Sequence, residues 1–169
     1  LEFWVRLAPN INNNDGVLGA QNQLDVNFAG ARLRLYAFPP LGDVIIAKNP
    51  ITPEVWTHYA ITRDARGELR LYCNGELETV STTLVTKDFI GGDVGWTVPK
   101  KGTFGALAEY RVWKVARSAS EIRNNFTRTY AGDTRPAELY FYNAGGDASW
   151  GKLLAGASIV QTTDLPPLL

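Results

Sequence analysis

Over residues 55–63 and again over 68–75, apolar and polar side chains alternate with the two-residue period of a half-buried strand. The link between them, Asp64-Ala-Arg-Gly67, is long enough only for a reversal, so the two segments predict an antiparallel hairpin. Asn74-Gly75 then supplies the positive backbone angles of a tight two-residue turn, and a third strand from Glu76 completes a meander. Alternation predicts further strands at 1–7, 17–20, 23–28, 31–37, 44–47, 104–115 and 138–143, with Gly30, Pro39-Pro40 and Gly42 as breaks. Residues 9–16 read as a turn-rich loop and 88–102 as a looser stretch containing Gly91-Gly-Asp93 and Trp96. Ser118-Ala-Ser-Glu121 is a capping-box pattern, and Ala119, Ile122 and Phe126 follow it at helical spacing, so one short helix is expected near residues 119–126. Asp164-Leu-Pro-Pro167 cannot continue a ladder. The pattern is all-β: two antiparallel sheets in a sandwich, with a single helix packed on them.

Composition supports this picture. Seven Phe, seven Tyr and five Trp supply large buried areas, methionine is absent, and sixteen glycines are scattered as turn punctuation. One domain spanning residues 1–169 is expected at this length. Seventeen acidic residues balance seventeen basic ones, so no net field draws the chain to nucleic acid or an anionic membrane. No basic leader with an apolar core is present, nor any apolar run long enough to span a bilayer, and membrane insertion is not expected. The first residue, Leu1, already lies in strand-like sequence, which suggests a domain excised from a larger protein. One cysteine and one histidine allow neither an internal disulfide nor a structural zinc site. Cys73, which alternates with Tyr72 beside Leu71 and Leu69, reads as a small buried apolar residue and not a nucleophile.

Four spaced motifs carry a resemblance. Trp56-Thr-His-Tyr-Ala-Ile-Thr-Arg63, Gly67-Glu-Leu-Arg-Leu-Tyr-Cys-Asn-Gly75, Ala108-Glu-Tyr-Arg-Val-Trp113 and Ser118-Ala-Ser-Glu-Ile122 resemble, in that order, the laminin-G-like jelly-roll domains of the concanavalin-A-like superfamily. The register covers roughly residues 1–126, and Leu1-Glu-Phe-Trp-Val5 is similar to an early strand of such domains. Leu139-Tyr-Phe-Tyr-Asn-Ala-Gly145 is similar to the closing segment of the jelly-roll half of clostridial neurotoxin binding regions. The resemblance implies a jelly-roll sandwich with one convex and one concave sheet, and loops displayed for ligands. It also implies that a first strand is missing before Leu1 and that the carboxy-terminal segment fills that edge.

The chemistry that such a fold can carry is weighed residue by residue. The glucanase branch of the superfamily uses alternating carboxylates, Glu-x-Asp-x-Glu, on one strand face, and this chain lacks them. Glu76 and Glu78 have the right spacing but no third partner, and they read as a solvated strand face. His58, the lone histidine, stands where the family carries a structural one. A pentraxin-like register puts Asn22 and Asp93 in calcium-bearing loops, but Gly91, Gly92 and Lys101 replace expected ligands, so no double site is expected. No cofactor is required; a single structural calcium held by Asp15 with Asn13 or Asn14 competes with a plain Asn-rich turn. For a sugar, a flat ring with polar neighbours is the minimum. Tyr72 and His58 share a sheet face, as do Arg111 and Trp113, and these four line a groove if that face is concave; the competing expectation is that they cover a second layer. Trp96, in its glycine-containing loop, is a candidate exposed platform. The expected function is a non-catalytic carbohydrate-binding, lectin-like module of a larger secreted or surface protein, located outside the cell or on its surface. Its expected partners are a glycan or a cell-surface protein, together with flanking domains of the parent chain. A protein-interaction or structural adhesion domain is the alternative, and a polysaccharide hydrolase a more distant one.

Overall fold

The computed structural model describes residues 1–11, 15–20, 23–87, 93–95, 103, 105–130, 135–144 and 166–168. Among them the chain runs β1 (Glu2–Leu7), β2 (Asp15–Ala20), β3 (Leu24–Ala29), β4 (Arg32–Ala37), β5 (Gly42–Ile46), β6 (Thr57–Arg63), β7 (Leu69–Cys73), β8 (Glu76–Val80), β9 (Asp93–Val94), β10 (Gly105–Trp113), α1 (Ala119–Asn125) and β11 (Leu139–Asn143). Six strands form one sheet in the order β11-β10-β1-β6-β7-β8, and five form the other in the order β5-β4-β3-β2-β9. Every pairing among the described strands is antiparallel. The two-sheet sandwich expected from alternation is therefore what forms, with the carboxy-terminal β11 on an outer position beside β10. The short β9, inside the stretch expected to be loose, is an addition to the expected set.

The sheets bury one face of each against the other. Phe3, Val5 and Leu7 of β1, Tyr59 and Ile61 of β6, and Leu69 and Leu71 of β7 meet Val26 and Phe28 of β3 and Leu33 and Leu35 of β4 in one core. Phe28 and Tyr59 touch edge to face across the sheets at 6.0 Å between centroids. Alternating strands must bury their apolar face against a second layer, and here that layer is the other sheet.

Local chemistry sets the turns. Asp64 closes the first hairpin by accepting the backbone N–H groups of Arg66 at 2.9 Å and Glu68 at 3.0 Å. At the second, Asn74 and Gly75 both take positive φ, 47° and 83°, as a two-residue turn matched to strand twist requires. Gly75 also lies under the helix: a Cβ there would stand 3.0 Å from the Phe126 ring. In α1, Ser118 accepts the Glu121 N–H at 3.3 Å while the Glu121 carboxylate accepts the Ser118 N–H at 2.7 Å, the reciprocal capping box expected from sequence.

Of several register irregularities, one shapes the outer face of the six-stranded sheet. Glu2 pairs with Arg111 but Trp4 with Ala108, so β10 carries an extra residue at this point, and Glu109 sits at φ 50°. The bulge lets Tyr110 join the inter-sheet core while Glu109 and Arg111 meet on the opposite face.

Replacing Gly75 by alanine combines positive φ with the ring contact and should destabilise the domain by about 1–3 kcal/mol. Urea denaturation measures this; an unchanged midpoint would contradict the turn assignment.

Candidate functional site

The face of the six-stranded sheet that points away from the core carries Glu2 and Trp4 of β1, His58 and Ala60 of β6, Tyr72 of β7, Arg111 of β10 and Tyr142 of β11. Helix α1 lies on it. Ile122 packs with Ala60 and Tyr72, and Phe126 stacks on Trp4 at 6.0 Å and leans over His58 at 5.6 Å. The Trp4 indole N–H donates to the Phe126 carbonyl at 3.1 Å.

A charged cluster fills the remainder of that interface. Arg117 Nη1 donates to Glu2 at 2.9 Å and Arg111 Nη1 to the same carboxylate at 3.3 Å, while Arg111 Nη2 donates to Glu109 at 2.8 Å. Tyr142 Oη donates to the other Glu109 oxygen at 2.8 Å. Arg111 also reaches the carbonyls of Asn125 and Arg128, pinning the end of the helix, and its guanidinium lies 5.0 Å from the Tyr130 ring centroid. Two arginines thus face two glutamates, and the buried charges balance. Burial alone would raise the Glu2 pKa, but the neighbouring His58, Arg117 and Arg111 outweigh it and hold the carboxyl at about 2. For His58, 3.8 Å from Glu2, burial dominates over the attraction of that carboxylate and pushes the pKa down.

This corrects the expected groove. His58 and Arg111 are 0% exposed and Tyr72 is 2% exposed, so none of the three is available to a ligand. The four residues cover a second layer, and that layer is the helix; Trp113 packs edge to face on Tyr130 at 5.6 Å beneath the Arg117 guanidinium. Of the other expected site residues, Asn13, Asn22 and Trp96 lie outside the described residues, as do the side chains of Asp15 and Asp93. Among the described residues no group of three or more His, Cys, Asp or Glu side chains is placed to hold a metal ion.

The outer face of the five-stranded sheet offers a different arrangement, absent from the sequence reading. Asn27 pairs with Arg34 and Asp25 with Tyr36 across β3 and β4, and Tyr36 with Asp43 across β4 and β5. Asn27 Nδ2 donates to Asp25 at 2.9 Å, Arg34 Nε to Asn27 Oδ1 at 2.8 Å, and Arg34 Nη1 to Asp43 at 3.0 Å. The row is buried at its Asp25–Asn27 end and exposed at Asp43. The half-buried Tyr36 ring lies 5.8 Å from the Arg34 guanidinium and is backed edge to face by Phe38 at 5.4 Å. Its polar groups are thus oriented by buried partners beside a flat ring, on a rigid sheet instead of a loop. The signal in the sequence was the polar phase of 25–27 and 34–36, opposite to the apolar Val26, Phe28, Leu33 and Leu35.

Comparison with known proteins identifies the scaffold. Residues 1–123 match the laminin G-type family described as the concanavalin A-like lectin/glucanases superfamily, and the chain belongs to it. No curated protein sequence matches the chain. Several solved structures share the fold. A Bacteroides ovatus ATCC 8483 protein provisionally described as carbohydrate binding is 20% identical, with a TM-score of 0.67 over 85% of this chain and 44% of its own. Domain 4 of AbnA, a GH43 extracellular arabinanase of Geobacillus stearothermophilus solved with arabinotriose, is 19% identical, with a TM-score of 0.60 over 73% of this chain and 63% of its own. The CBM40 of the Ruminococcus gnavus IT-sialidase is 16% identical, with a TM-score of 0.53 over 73% of this chain and 79% of its own. The first two are longer than the part this chain matches.

Acid should destabilise the domain in two stages. His58 is depressed in the folded state, so the unfolded chain takes its proton first, and stability falls as pH drops below about 6.5. Glu2 is depressed as well, and its contribution, complete above about 4.5, is lost as pH falls towards 2. Urea unfolding from pH 8 to 4 should show the decline, and the imidazole signals of the single histidine should stay neutral in the folded protein at a pH where a free imidazole is already half protonated. An imidazole that titrates near 6.5 would contradict the buried assignment. Truncating Arg111 to alanine leaves two carboxylates short of a partner and should cost about 3–5 kcal/mol in the same assay.

Proposed function

We propose that this chain is a non-catalytic, lectin-like module that holds a glycan on the exposed end of the Asn27–Arg34–Asp43 row, with a sugar ring laid on Tyr36. The observation that carries this reading is the row itself: an oriented guanidinium and carboxylate beside an aromatic ring, the minimum for orienting hydroxyls and stacking a pyranose or furanose face. The superfamily and the described binding of its neighbours, among them an arabinanase domain solved with arabinotriose and a sialidase carbohydrate-binding module, support it. Those neighbours belong to larger extracellular or carbohydrate-processing proteins, which supports a role as one module of a secreted or surface protein. No helix among the described residues is long and apolar enough to cross a membrane. One weak site of this kind gains strength from neighbouring domains through effective concentration.

Bond cleavage is disfavoured by where the carboxylates go. A glycosidase needs a protonated acid and a second carboxylate flanking the sugar bond. Glu2 and Glu109 are buried against arginines, and Glu76 is held by Arg123. The Glu2 carboxyl, held at about 2 by His58 and the two arginines, makes a poor general acid. A protein-adhesion role is the alternative, favoured by Tyr140, which is 72% exposed on the edge strand β11.

On an array of neutral and acidic oligosaccharides, the protein should bind at least one glycan class. Tyr36→Ala should weaken that binding about tenfold, equivalent to ~1.4 kcal/mol, with little change in Tm. Trp96→Ala, run in parallel, tests the loop platform. Loss of binding only in Trp96→Ala would move the site to the loop; no binding to any glycan, with a protein partner captured through Tyr140, would replace this reading by adhesion.

A further inference from the structure

A cleft of about 390 Å3 lies between residues 49–55, which follow β5, and strands β6, β7 and β8. It is separate from the Tyr36 face. Ile51, Val55 and Leu77 form its apolar part, and Tyr59, Cys73 and Glu78 its polar part. Val55 and Leu77 are each about half exposed, so apolar surface rims the opening.

Glu78 is placed there by the register of the edge strand. Leu71 pairs with Thr79 and Tyr72 with Leu77, which leaves Glu78 as the extra residue of a bulge. Bulges on edge strands re-aim a side chain, and the expected solvated face is corrected here: Glu76 is exposed and held by Arg123, whereas Glu78 is half-buried at the cleft. Glu78 Oε1 accepts the Asn49 N–H at 2.8 Å, tying the loop to the strand. Oε2 is buried and accepts no hydrogen bond from the protein. A carboxylate oxygen in that position is costly unless a donor reaches it.

The neighbours define the donor. Burial, reinforced by the Glu78 charge, pushes the Cys73 thiol up to about 11 and the Tyr59 phenol higher still, so both are neutral at pH 7. No lysine or arginine is among the lining residues. With Glu76 matched by Arg123, the cleft holds one negative charge without a countercharge. Its volume is roughly ten times the ~30 Å3 share of a water molecule, and its apolar rim is poorly suited to a hydrated metal ion.

We propose that this cleft binds a primary alkylammonium, with the methylene stem against Ile51, Val55 and Leu77 and the ammonium donating to Glu78 Oε2. Charge complementarity selects the cation, its N–H groups supply the donor that the buried oxygen lacks, and the rim favours an aliphatic stem over a bare ammonium ion.

The test is titration of n-pentylamine into 15N-labelled protein at pH 7, with 1-pentanol as the neutral comparator. Saturable shifts are expected at the amides of Cys73, Leu77 and Glu78, with pentanol at least about tenfold weaker. Glu78→Gln keeps an acceptor for Asn49 but removes the charge, and should weaken pentylamine at least about tenfold. Leu77→Trp, at an exposed position, should block the cleft and abolish the shifts even if Glu78→Gln proves unstable. Equal responses to pentanol and pentylamine, shifts that survive either variant, or no saturable response would each overturn the proposal.

Discussion

The constraint on which the rest depends is that the six-stranded sheet has two faces to cover and only one second sheet to cover them. Its inner face meets the five-stranded sheet in a continuous apolar core. Among the described residues the element that lies on its outer face is a seven-residue helix, too short to bury a sheet by apolar contact alone. Ile122 and Phe126 close part of it, and the Glu2–Arg111–Glu109–Arg117 cluster closes the rest. Buried charges are tolerable here because each is matched and hydrogen-bonded; removal of one partner strands another. The functional consequence is direct. A face closed in this way is lost to ligands, so recognition must use the other sheet, the sandwich edges or the loops.

Two bulges deliver two glutamates, and the contrast between them separates structural from functional chemistry. In β10 the extra residue brings Glu109 beside Arg111 and the Tyr142 hydroxyl, and both carboxylate oxygens are satisfied. In β8 the extra residue brings Glu78 to a cleft, where one oxygen is tied to Asn49 and the other is left without a donor from the protein. A left-handed, non-glycine backbone at Glu109 is an unfavourable conformation that persists because its surroundings over-determine it. The Glu78 bulge has no such closed network.

How much of this was legible in the sequence follows from the range of each rule. Local rules worked: the Asp64 reversal, the Asn74-Gly75 turn and the Ser118–Glu121 capping box all depend on neighbours within four residues, and all form as read. Alternation also assigned His58, Tyr72 and Arg111 to one face, which is correct. It could not say what lies over that face, because a period of two separates the sides of a sheet without ranking them. A clue was present in the helix: a capped segment with Ile122 and Phe126 on one side must bury them, and the polar-phase face of the meander was available. The Glu109 bulge was illegible, since a one-residue insertion is a property of the pairing and not of the strand. The Tyr36 row was overlooked for a similar reason: Asn27, Arg34 and Asp43 are spread over three strands, and only register brings them together.

Register also explains why the Tyr36 row is a better basis for recognition than scattered surface groups. A long arginine side chain on a free surface loses roughly 2 kcal/mol of rotamer freedom when a ligand orders it. Arg34 is already held by Asn27 and Asp43, and Asn27 is itself held by Asp25 at the buried end. The ordering has been done by folding, so binding energy is not consumed in repeating it. The same argument limits the affinity, because groups that already bond to each other have fewer free sites to offer. A module built this way favours selectivity in orientation over strength.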